Sequence, residues 1–123
     1  MERNATIIVR DKDISTGGNG YITSVRVVTP DGRKGWAAEV AENVTGEWSN
    51  YGTRKHERTC SQQGDVPVGS IVIEFCREIK HGRKVGGPSE VKAYIAGTDT
   101  ELKTKGYGLD LQVFVDGEFV SIE

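Results

Sequence analysis

From Gly69 to Ile79 the chain reads GSIVIEFCREI, its densest run of β-branched and aromatic residues, opened by Pro67-Val68-Gly69. Taken two at a time, Ile71, Ile73 and Phe75 fall on one face, and Val72, Glu74, Cys76 and Glu78 on the other. Side chains alternate across a strand, so the pattern predicts β structure. One wholly apolar face and one mixed face mark a central strand whose second side is only partly covered.

Strands need partners, and the flanking sequence supplies them. Ala5 to Arg10 (ATIIVR) reads as a first strand. Tyr21 to Thr29 alternates, with Tyr21, Thr23, Val25 and Val27 on one side and Ser24 and Arg26 on the other. Pro30-Asp31-Gly32 then predicts a bulged hairpin, because proline presets its backbone angle and glycine accepts a positive φ. Val91 to Ala96 alternates again, with Val91, Ala93 and Ile95 against Lys92 and Tyr94. Leu109 to Val115 and Glu118 to Ile122 flank Asp116-Gly117, the sequence of a two-residue type I′ turn. That turn pairs Phe114 with Phe119, Val113 with Val120 and Leu111 with Ile122. Both phenylalanines then share one face, and the aliphatic residues share the other.

Two regions resist the period-two reading. Gly35 to Val44 (GWAAEVAENV) fits a return strand with Trp36, Ala38 and Val40 inward. It also fits a short helix with Trp36, Val40 and Val44 on one side. Alanine and glutamate favour the helix, the preceding hairpin favours the strand, and we read strand as far as Ala41. Glu47 to Gln63 is polar, with a partial edge strand near Thr53 to Cys60 whose basic residues discourage edge pairing. Lys80 to Ser89 and Thr98 to Gly108 read as polar connections.

A chain of 123 residues is long enough for one core, and 16 glycines with 3 prolines favour many turns between short strands. The expectation is therefore an all-β fold. It is a small single-domain antiparallel β-sandwich or β-barrel of about seven or eight short strands, with one short helix near 36–45 as the alternative for that segment.

Charge excludes little and suggests one asymmetry. The net charge is −2, yet residues 51–84 carry seven Lys or Arg against four Asp or Glu, and residues 99–123 carry two against six. The opening MERNATIIVRDKD has no apolar core of a signal peptide, and no apolar run reaches membrane-spanning length. The two Asn-X-Thr triplets, at Asn4 and Asn43, are read as coincidental without a secretion signal. Two cysteines build no disulfide framework, so a reduced cytoplasmic setting with no membrane partner is expected.

Four residues have metal-ligand chemistry: His56, Cys60, Cys76 and His81, spaced H-x3-C and C-x4-H. Zinc needs four such ligands, but the spacing is no standard zinc signature and Cys76 sits within a strand. The reading is therefore no metal and no cofactor, with Cys76 a half-buried thiol. Catalysis has little to work with. Asp11 with Asp13, or Asp99 with Glu101, supplies paired carboxylates in turn contexts, and neither histidine has an evident acid–base partner. A non-enzyme is expected.

Two binding readings follow. Phe114 and Phe119 on a solvent face form an apolar patch suited to a protein partner or to self-association into a homo-oligomer. If that face is covered, they are core. Alternatively Arg54, Lys55, Arg58, Lys80, Arg83 and Lys84, with Trp48 and Tyr51, offer cations for phosphates and flat rings for bases, as single-stranded nucleic acid requires. The interaction module is the leading expectation, with Phe114 and Phe119 as its contact.

Overall fold

A computed structural model of the chain describes residues 4–10, 20–45, 61–80, 83–84, 90–106 and 110–122. In chain order the strands are β1 (Asn4–Arg10), β2 (Gly20–Val28), β3 (Lys34–Trp36), β4 (Glu42–Thr45), β5 (Ser61–Pro67) and β6 (Ile71–Lys80). There follow β7 (Arg83–Lys84), β8 (Glu90–Ile95), β9 (Glu101–Leu102), β10 (Thr104–Lys105), β11 (Gln112–Val115) and β12 (Glu118–Ser121). One single-turn helix, α1 (Ala37–Val40), separates β3 from β4. The all-β expectation holds.

The apolar run from Gly69 to Ile79 forms most of β6, the centre of the largest sheet. Its order is β3-β2-β6-β8-β9, and β7 turns back onto the end of β6. All pairings are antiparallel, with Val25 opposite Glu74 and Val27 opposite Val72 on one flank, and Ile73 opposite Ala93 on the other. Two smaller sheets, β1-β5-β4 and β10-β11-β12, complete the described strands.

Each face of the central sheet carries its own core. On the wholly apolar face Ile73, Phe75 and Ala93 pack with Leu111, Val113 and Ile122 of the terminal hairpin. On the mixed face Val25, Val27 and Val72 pack with Ile7, Val9 and Val66 of the β1-β5-β4 sheet and with Ala37. Burying a side chain of this size contributes about 1.5–3 kcal/mol, so each cluster is a substantial share of the hydrophobic driving force.

The turn chemistry follows the sequence. Gly32 has φ +92°, its N–H donates to the Thr29 carbonyl at 2.9 Å, and the Thr29 N–H donates to the Arg33 carbonyl at 2.8 Å. That is a type I turn closed by a bulge glycine. The Thr29 hydroxyl, held on the Asp31 carboxylate, accepts the Arg33 N–H at 2.9 Å and locks it.

Strand does not persist to Ala41 as the return-strand reading requires. β3 ends at Trp36, and the Ala41 N–H donates to the Ala37 carbonyl at 2.9 Å to close one helical turn. The turn carries the chain from the central sheet into β4, and it buries Ala37 completely. Strong helix formers at 37–40 make that turn cheap, and the change of sheet requires it.

β5 is a strand that the sequence reading does not contain, since it begins within the polar run Glu47 to Gln63. Its inward positions are Gly64 and Val66, so the alternation is present but one apolar slot is empty. The reason is packing: a Cβ on Gly64 would lie 3.0 Å from the Ala41 Cβ. Glycine permits the close approach and erases the periodic signal at once. β5 is then fastened on both sides through Asp65, whose carboxylate accepts from the Thr6 hydroxyl at 2.7 Å and from the Asn43 amide at 2.9 Å. The partial strand expected near Thr53 to Cys60 lies outside the described residues.

Candidate interaction surfaces

The terminal hairpin has the predicted turn and register. Asp116 and Gly117 take φ of +51° and +84°, as a type I′ turn demands, and Val113 pairs with Val120, Phe114 with Phe119. The Ile122 N–H reaches the Leu111 carbonyl at 3.4 Å, extending the same register by one step. Leu111, Val113 and Ile122 are buried, which turns the opposite face outward. Phe114 and Phe119 are each 38% exposed, so the solvent-face reading of the pair is the one realised.

The two rings meet edge to face, with centroids 5.0 Å apart and planes at 63°. Lys105 on β10 places its ammonium 4.1 Å from the Phe119 ring centroid, a cation–π contact that fixes one side of the patch. On the other side the sheet simply stops. Among the described residues β12 has β11 as its one strand partner, so alternate backbone groups from Glu118 to Ser121 face away from the sheet.

The basic residues are not gathered into a site by what is described. Trp48, Tyr51, Arg54, Lys55 and Arg58 lie outside the described residues. Lys80, Arg83 and Lys84 fall on the β6–β7 hairpin, Lys80 opposite Arg83, and their side chains are outside the described set. His56, Cys60 and His81 are likewise outside it. Cys76 is a half-buried thiol on β6, and among the described residues no three His, Cys, Asp or Glu side chains gather to hold a metal. Of the paired carboxylates, Asp11 and Asp13 are not described, whereas Asp99 and Glu101 are both exposed.

A second surface was not singled out by motif. The mixed face of the central sheet is sealed around Val72 but open farther along β6, where Glu74, Lys92 and Tyr94 border a cleft beside β1. Three adjoining recesses of about 360, 320 and 370 Å3 share Ile8 on their rims, and Ile8 is 56% exposed. Burial raises the Tyr94 phenol above its ordinary value, and the Glu74 carboxylate adds to the effect by its charge and by accepting the phenol's hydrogen bond. The Lys92 ammonium sits 5.8 Å from the Tyr94 ring centroid. Tyr94 is thus committed to the sheet surface. The clue in the sequence was the mixed half of the central strand itself: Glu74 and Cys76 had no apolar layer to meet.

No helix among the described residues is long and apolar enough to cross a membrane. Comparison with family models, with curated proteins and with solved structures finds no match.

Proposed function

We propose that the chain is a small non-enzymatic interaction module that self-associates through its terminal hairpin. The observation that carries this reading is the Phe114–Phe119 pair, each residue 38% exposed, beside a strand whose outer edge is open among the described residues. A solvated edge-to-face phenylalanine pair keeps apolar area in water that a second copy would remove. Two β12 strands running antiparallel about a two-fold axis satisfy each other's outward backbone groups. The same operation brings the two phenylalanine pairs onto one continuous face, an isologous contact in which each patch meets its own copy.

The patch is small. An interface built from one short edge and two rings falls at or below about 1,200 Å2 of total buried area, the range of reversible association. The dimer is expected to dissociate on dilution and to survive moderate salt, because its core is apolar. Light scattering coupled to size-exclusion chromatography, across a dilution series at low and moderate salt, tests this directly. Wild type should move from dimer to monomer of 13.4 kDa as it is diluted, while Phe119→Asp stays monomeric throughout with an unchanged circular-dichroism spectrum. A wild-type monomer at every concentration, or a mutant that associates as wild type does, removes the proposal.

A further inference from the structure

Among the described residues most sheet edges are short, charged or bulged. β3, β9 and β10 are only two or three residues long. β4 carries Glu42 and breaks its register against β5 between Glu42 and Thr45, where Asn43 takes φ +52°. Short length, charge and bulges are the devices by which edges avoid unwanted pairing. β12 has Glu118 and is the edge already assigned to self-association. β1 is neither short nor bulged: seven residues pair with β5 in unbroken register, its one charged residue is the terminal Arg10, and Ala5 to Val9 contains neither charge nor proline. Among the described residues β5 is its one strand partner.

The open side of β1 borders the cleft. Ile7 and Val9 point inward onto the mixed face of the central sheet. A strand added beside β1 would direct its own alternate side chains onto the next part of that face, toward Glu74, Lys92 and Tyr94. The far rim is fixed by hydrogen bonds: the Ile95 N–H donates to the Thr100 carbonyl at 3.0 Å, and the Thr98 hydroxyl donates to the Ile95 carbonyl at 2.9 Å. Among the described residues, Glu74, Asp99 and Glu101 set three carboxylates around this recess against the one ammonium of Lys92. An anionic floor beside an edge that carries no charge from Ala5 to Val9 selects a cationic strand.

We propose that the cleft between β1 and the β6–β8 surface receives an extended segment of a partner protein that adds as a strand to β1 and places lysine or arginine side chains, at alternate positions, over Glu74, Asp99 and Glu101. Backbone pairing supplies sequence-independent affinity, and the carboxylates select the charge. This site is separate from the terminal hairpin and does not depend on self-association.

The test uses the full chain and a defined probe, an alternating Lys-Thr peptide of about eight residues, the length of an ordinary strand. Calorimetric titration should show binding that weakens steeply as salt rises, with NMR shifts centred on Thr6 to Val9 and on Thr98 to Glu101. The Glu-Thr counterpart should not bind, and a Lys-Thr peptide N-methylated at alternate residues should lose binding because it cannot complete the ladder. The exposed double variant Asp99→Lys/Glu101→Lys should weaken the Lys-Thr peptide by about tenfold or more. Phe119→Asp should leave its affinity unchanged.

Several results overturn the proposal. Absence of binding, equal binding of the glutamate or N-methylated peptide, or unchanged affinity in the charge-reversed variant each does so. Loss of binding in Phe119→Asp would place the peptide on the hairpin instead. Should Ile8→Asp dissolve an oligomer that Phe119→Asp leaves intact, the occupant of the cleft is a second copy, and the partner assignment fails.

Discussion

The two faces of β6 lie back to back on one strand and meet opposite fates. On one, Ile73 and Phe75 are sealed beneath the terminal hairpin together with Leu111, Val113 and Ile122. On the other, Val72 is sealed, but Glu74 and Cys76 open onto a cleft. The difference teaches that a strand's alternation fixes which residues share a side, whereas how far a side is covered depends on the reach of the neighbouring sheet. Here β1-β5-β4 covers one end of the mixed face, and polar residues begin where its cover ends.

The contrast predicts unequal costs of truncation. Ile73 is fully buried and its neighbours come from two sheets, so Ile73→Ala should cost about 3 kcal/mol in urea unfolding. Lys92, exposed on the open side of β8, should cost within about 0.5 kcal/mol when changed to alanine. Comparable losses from the two changes would mean that the open face is packed after all.

A second variant asks how the terminal hairpin is held on the sealed face. Arg26 on β2 donates from Nε to the Ile122 carbonyl at 3.1 Å, and its guanidinium lies 5.5 Å from the Trp36 ring centroid. Trp36 in turn meets Phe75 edge to face at 6.2 Å. One partly buried cation thus ties the end of β12 to the central sheet. Arg26→Ala should cost about 2 kcal/mol, the scale of a charged hydrogen bond, and should raise hydrogen exchange in β11 and β12 before other strands. Exchange that rises uniformly would show that apolar packing alone holds the hairpin.

These differences explain which parts of the molecule were legible in advance. Period-two segments with apolar inward slots, β1, β2, β6, β8 and the terminal hairpin, were readable because burial and alternation agree there. The Asp116-Gly117 register was readable because two positive φ angles in succession suit few other sequences. β5 was not, since Gly64 trades its side chain for the approach of Ala41 and leaves Val66 as the one inward apolar signal. β9 and β10, two residues each, are shorter than any period can mark. The turn at Ala37–Val40 was ambiguous because local preference and hairpin context disagreed, and the change of sheet decided it. Of the binding residues, Phe114 and Phe119 could be placed on a common face from the register, but their exposure depended on where the rest of the chain packs. The cleft beside β1 is assembled from β1, β6, β8 and the turn before β9, a juxtaposition with no local trace.

The smallest effect concerns the boundary between covered and open surface, where Tyr94 sits. Burial is the main cause that lifts its phenol above the ordinary value of 10.0, and Glu74 adds to it. A raised folded-state value means that the neutral phenol is favoured in the folded protein. The associated stability is complete below pH 10 and is lost as pH rises through the folded value. Ultraviolet titration of wild type against Tyr94→Phe isolates this group from the other tyrosines. Glu74→Gln removes the nearby charge and the carboxylate acceptor but leaves the burial, so Tyr94 should ionise earlier than in wild type and still later than an ordinary tyrosine. A return to the ordinary value in Glu74→Gln would mean that the carboxylate dominates and that water reaches the ring. The covered part of the mixed face would then end before Tyr94, and the cleft beside β1 would be wider than its rim residues indicate.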